Sequence, residues 1–62
     1  MKTHDYQRGD RVVVRDRGKW REGKVVDTGV CTVIVHIDGY SSALTLRADD
    51  SGLKRVEDAN AG

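Results

Sequence analysis

Gly9-Asp10-Arg11-Val12-Val13-Val14-Arg15-Asp16-Arg17-Gly18-Lys19-Trp20-Arg21-Glu22-Gly23-Lys24-Val25 is the stretch whose reading decides the fold. Three successive valines favour extended backbone. Alternation along the strand sends Val12 and Val14 to one face and Arg11, Val13 and Arg15 to the other, so the first pair is expected in the core. Asp16-Arg17-Gly18-Lys19 reads as the turn, with Gly18 able to take the backbone conformation of a tight reversal. A second strand follows from Trp20 to Thr28, in which Gly23 has no side chain to pack and suits a bend or a close backbone approach. The whole is a β-hairpin with Lys and Arg crowded around its turn and one tryptophan among them.

The remaining sequence continues in short extended segments. Gly29-Val30 connects to a third strand, Thr32-Val33-Ile34-Val35-His36-Ile37, with Val33, Val35 and Ile37 inward and His36 outward. Asp38-Gly39 is a turn signal, extended by Tyr40-Ser41-Ser42. A fourth strand, Ala43 to Arg47, places Leu44 and Leu46 inward. Ala48-Asp49-Asp50-Ser51-Gly52 is expected to make one short helical turn before a last strand, Leu53-Lys54-Arg55-Val56. The reading is thus all-β, with residues 1–8 as a flexible N-terminal arm on which Tyr6 docks, residues 9–57 as the domain, and residues 58–62 as a disordered C-terminal tail.

Composition sets the outer bounds. A chain of 62 residues makes one domain and buries only about 60% of the surface that its unfolded form exposes, which leaves no room for a deep catalytic cavity. Phe and Pro are absent, and Cys31 is the single cysteine, so no internal disulfide forms and a reducing, cytoplasmic setting is expected. Cys31 itself reads as a small, partly buried apolar residue. The longest aliphatic runs, Val12–Val14 and Val33–Val35, fall far short of the roughly 20 residues of a membrane helix. The formal net charge is +1, but residues 1–26 hold eight Lys/Arg against four Asp/Glu, and residues 27–62 hold three against six. Only the first half is suited to attract an anionic partner.

Several segments resemble a known superfamily. Gly9-Asp10-x-Val12, Trp20 followed by Gly23-Lys24-Val25, Val33-x-Val35-x-Ile37-Asp38-Gly39-Tyr40 and the closing Leu53-Lys54-Arg55-Val56 look like a Tudor-type domain of the five-stranded SH3-like barrels. The first hairpin also resembles the KOW motif of ribosomal and transcription-elongation proteins, although that motif usually has glycine where this chain has Trp20. The Tudor resemblance implies an aromatic cage for a methylated lysine or arginine, with Trp20 and Tyr40 as walls and Asp38 as the acidic partner, because electron-rich ring faces attract a weakly hydrated cation. The KOW resemblance implies contact with RNA or DNA. Independently of either, Arg11, Arg15, Arg17, Lys19, Arg21 and Lys24 lie on or beside the first hairpin, where they can follow phosphates while Trp20 stacks a base.

Other chemistries find no support in the residue pattern. Ser41 and Ser42 have no His/Asp relay. His4, His36 and Cys31 are not spaced as metal ligands, since Cys31 and His36 take opposite faces of one strand. The sequence therefore leads to a non-catalytic binding module without cofactor or metal, monomeric or weakly homodimeric. The expected ligand is a protein or peptide at Trp20, Tyr40 and Asp38. RNA or DNA on the basic hairpin is the alternative, and a structural accessory role in a larger complex the second alternative.

Overall fold

Period-two alternation of small aliphatic side chains requires a sheet with one buried face, and the computed structural model, which describes residues 3–59, has that architecture. Five antiparallel strands, β1 (Arg11–Asp16), β2 (Lys19–Thr28), β3 (Thr32–Ile37), β4 (Leu44–Arg47) and β5 (Leu53–Arg55), form a curled half-barrel. The strand order is β4-β3-β2-β1-β5, so β2 is central and β4 and β5 are the edges. The only helix among the described residues is one turn, α1 (Val56–Ala59), after β5. No helix among them is long and apolar enough to cross a membrane.

The core is made by the inward-facing set Val12, Val14, Val25, Val33, Val35, Ile37 and Leu53, all buried. Tyr6, Tyr40, Leu44, Leu46 and Ala48 pack around it and remain partly buried. The inside/outside phase of β1 and β3 is as the alternation predicts, and Leu44 and Leu46 reach the core only from its rim.

Two features of β2 curl the sheet. Gly23 lies opposite Ile37 on β3 and Val12 on β1. A Cβ there would sit 2.7 Å from the His36 carbonyl oxygen and 3.0 Å from the Ile37 Cα, so only glycine lets the two strands approach this closely. Three residues on, the register slips: Val25 pairs with Val35 and Asp27 with Ile34, leaving Val26 as the extra residue of a β-bulge. Bulges bend and twist the strand that carries them, and Val26 is pushed outward and exposed.

The segment between β4 and β5 differs from the expected helical turn. It is a pair of successive tight turns, closed by Asp50 N–H to the Arg47 carbonyl at 3.0 Å and Leu53 N–H to the Asp50 carbonyl at 3.1 Å. The Asp50 carboxylate accepts from the Gly52 amide at 2.8 Å, the competition between side chain and backbone that draws Asp into turns rather than helices. Cys31 also departs from expectation, being exposed in the β2–β3 connection, where the backbone turns it away from the core.

Of the arm assigned to residues 1–8, the described part runs beside the β2–β3 connection. Thr3 donates its amide to the Val30 carbonyl at 2.9 Å, and His4 Nε2 donates to the Gly29 carbonyl at 2.9 Å while its Nδ1 accepts from the Tyr6 amide at 3.1 Å. Arg55 holds the Asp5 carbonyl and carboxylate and lies 4.7 Å over the Tyr6 ring. Of the tail assigned to residues 58–62, residues 60–62 lie outside the described residues, and 58–59 close α1.

The core assignment has a direct test. Val35→Ala should lower stability by about 1–3 kcal/mol through lost burial and a residual cavity, with Ile34→Ala costing much less; thermal melts of the two variants check the phase of β3. Gly23→Ala should be at least as damaging as Val35→Ala, because the atoms it meets are backbone.

Candidate functional site

The β1–β2 hairpin is longer than the sheet that supports it. Strand β2 pairs with β1 from Lys19 to Lys24 but with β3 only from Gly23 onward. The Asp38 amide still donates to the Glu22 carbonyl at 3.0 Å, and residues 16–21 beyond it form a two-stranded ribbon projecting past β3. Its turn is a two-residue loop, Asp16 opposite Lys19, with Arg17 at φ 52° and Gly18 at φ 79°. Positive φ at both central positions is the type I′ pattern, whose twist matches that of the flanking strands.

Alternation divides the ribbon into two faces. Val12 and Val14 point inward, so their partners Gly23 and Arg21 do as well, and so do Asp16 and Lys19. The outer face carries Arg11, Val13 and Arg15 from β1, Trp20, Glu22 and Lys24 from β2, and Lys54 opposite Val13 from β5. Trp20 is 45% exposed and stands directly opposite Arg15. The Lys54 Nζ lies 5.3 Å from the centre of its ring. Since β1 separates β2 from β5, this contact spans the outer face of β1.

Cations around the indole are not all equivalent. Arg11 donates to Glu22 through Nε at 3.1 Å and through its terminal nitrogen, and to Asp38 at 2.9 Å. The hydrogen bond to Glu22, followed by that to Asp38, raises the Arg11 pKa above its ordinary value. Arg8 pairs with Asp27, Arg21 with Asp16, Arg47 with Asp49, and Arg55 with Asp5 and Asp10. Among the described residues this leaves Arg15, Arg17, Lys19, Lys24 and Lys54 without an ion pair, all of them on the hairpin or beside it.

Tyr40 is held on the other face. Its hydroxyl donates to the Asp16 carboxylate, and the guanidinium of Arg21 lies 6.0 Å from its ring centre. Its backbone carbonyl accepts from His36 Nε2 at 2.8 Å. Donation to Asp16, then burial, raises the phenol pKa above its ordinary value of 10.0, since both favour the neutral form.

Trp20 and Tyr40 are thus on opposite faces of the ribbon, with different neighbours, and do not wall a common groove. Asp38 is engaged by Arg11 rather than by Tyr40 or Trp20. The residues brought together are instead Arg15, Trp20 and Lys54 on the outer face, with Lys24 farther along the same face opposite Arg11, and Arg17, Arg21 and Tyr40 on the inner rim, joined by Ser41 and Ser42. Lys54 is the participant that sequence reading left out: its outward phase was legible, but its place beside Trp20 depends on β5 pairing with β1. Among the described residues there is no group of three or more His, Cys, Asp and Glu side chains that could hold a metal ion.

Comparison of the chain with family models finds no match, and comparison with curated proteins and with solved structures finds no significant one.

The Tyr40–Asp16 bond makes stability depend on pH in a defined direction. Its contribution is fully present below the ordinary phenol value of 10.0 and is lost as pH rises through the higher folded-state value. Thermal melts should show wild type more stable than Tyr40→Phe at neutral pH, with the difference vanishing in alkaline solution.

Proposed function

We propose that this chain is a non-catalytic binding module of the SH3-like barrel type, similar to Tudor and KOW domains, and that it binds single-stranded nucleic acid on the outer face of β5, β1 and β2. The observation that carries this reading is the exposed indole of Trp20 directly opposite Arg15 and 5.3 Å from the Lys54 ammonium, two cations without an ion pair among the described residues. An aromatic platform stacks a base of any identity, and flanking cations take the adjoining phosphates. The near-zero net charge does not oppose it. Most acids near the hairpin are already matched to specific cations, so the local field around Trp20 is positive although the net charge of the chain is only +1.

A protein or peptide ligand at Trp20 is the second reading, favoured by the ease with which a large half-exposed indole anchors an interface. For a cation-seeking cage it has less to offer, because Lys54 already lies over the ring and Tyr40 faces away.

Trp20 is the only tryptophan, so its fluorescence reports the platform directly. Titration with a short oligothymidylate at low ionic strength should quench it. If Arg15, Lys24 and Lys54 each neutralise one phosphate, a fourfold rise in salt should weaken binding about 20-fold. Trp20→Ala should weaken it by about 1–3 kcal/mol for each stacked base. Absence of quenching at low salt, or affinity indifferent to salt, would exclude nucleic acid and leave the peptide reading.

A further inference from the structure

The inner rim of the ribbon holds a second concavity that the stacking platform does not use. It lies between the hairpin tip and the β3–β4 connection, lined by Asp16, Arg17, Arg21, Tyr40, Ser41 and Ser42, with Leu44 at its base. Its lining thus combines two arginines and two exposed serines with a single carboxylate. That carboxylate is already occupied: Asp16 accepts the Tyr40 hydroxyl and lies 3.9 Å from Arg21 Nε. The Tyr40 ring beneath Arg21 restricts where that guanidinium can go, while Arg17 has no ion-pair partner among the described residues.

Arg17 is also at a position that its backbone disfavours. A φ of 52° is readily taken by Gly, Asn or Asp and is strained for a long side chain. Among the described residues no ion pair or hydrogen bond accounts for an arginine at this point, and residues held in such conformations concentrate where a ligand is engaged. Arginine forks match the geometry of phosphate oxygens, and serine hydroxyls supply further donors.

We propose that this concavity is a phosphate subsite, in which Arg17, Arg21, Ser41 and Ser42 hold a backbone phosphate of the same single strand that stacks on Trp20, as the strand passes over the hairpin tip. The assignment rests on the nucleic-acid reading of the outer face. It extends the contact from one face of the ribbon to both and makes Arg17 and Arg21 phosphate ligands distinct from Arg15, Lys24 and Lys54.

The test uses the full chain and oligothymidylate, followed by Trp20 fluorescence and by amide and guanidinium NMR shifts. Signals of Arg17, Arg21, Ser41 and Ser42 should move together with the Trp20 indole, and should move much less with an oligomer whose linkages are uncharged methylphosphonates. Arg17→Asn should raise the Tm by about 2–6 °C, since Asn accepts the turn conformation more easily, so a loss of binding in that variant cannot come from misfolding. Combined with Arg21→Gln it should lower affinity about tenfold or more and reduce the salt slope by about 0.7, the value for one phosphate of a single strand. Quenching of Trp20 with unchanged affinity and salt slope in the double variant would overturn the subsite alone. No quenching of wild type at low salt would overturn the nucleic-acid reading and the subsite with it.

Discussion

The close approach of β2 to β3 at Gly23 is the constraint on which the rest of this structure depends. Seven buried aliphatic residues without a single phenylalanine make a thin core, and a flat sheet of this size would leave its apolar face open to water. Curling closes that face. The missing Cβ at Gly23 lets the backbones meet, and the bulge at Val26 turns β2 so that its two halves follow different sides of the core. One strand thereby sets both the burial of Val25, Val33 and Ile37 and the direction in which the hairpin projects.

That projection explains why the candidate site lies where it does. Because the β3 side reaches only to the Asp38 amide, which donates to the Glu22 carbonyl, residues 19–21 have a ladder partner on one side only, and a two-stranded ribbon in water is marginal by itself. Two polar tethers hold it. Arg11 ties Glu22 on the ribbon to Asp38 at the β3–β4 turn, and Tyr40 ties the same connection to Asp16 near the ribbon's tip. The first of them uses Asp38, the acid that the Tudor resemblance placed in a ligand site. Both tethers hold the outer face steady around Trp20 and remove the carboxylates that would otherwise weaken its attraction for an anion.

Much of the fold was legible in the residues, for identifiable reasons. The valines at 12, 14, 33 and 35 alternate strictly, and a one-residue slip would expose all of them, so phase and burial followed together. The turn at Arg17-Gly18 was legible from Gly18 and its charged flanks. The bulge was not, since Val26 is an ordinary strand residue and its exclusion from the ladder is decided by how β2 and β3 meet. The helical turn expected at residues 48–52 gave way to two tight turns because Asp50 satisfies backbone amides locally.

For the site, the residue types were legible and their grouping was not. Trp20 and Tyr40 looked like partners because each flanks a turn at one end of the sheet, but a ribbon has two faces, and adjacent residues of one strand go to different ones. Trp20 and Arg21 are neighbours in sequence, yet the first meets Lys54 across β1 and the second meets Tyr40. The aromatic pair is therefore divided by the same period-two rule that builds the core. What that rule joins instead is a ring with unpaired cations on one face and two arginines beside two serines on the other, so that in the proposed complex stacking and charge neutralisation would reach one strand from both sides of a ribbon about 10 Å thick, side chains included.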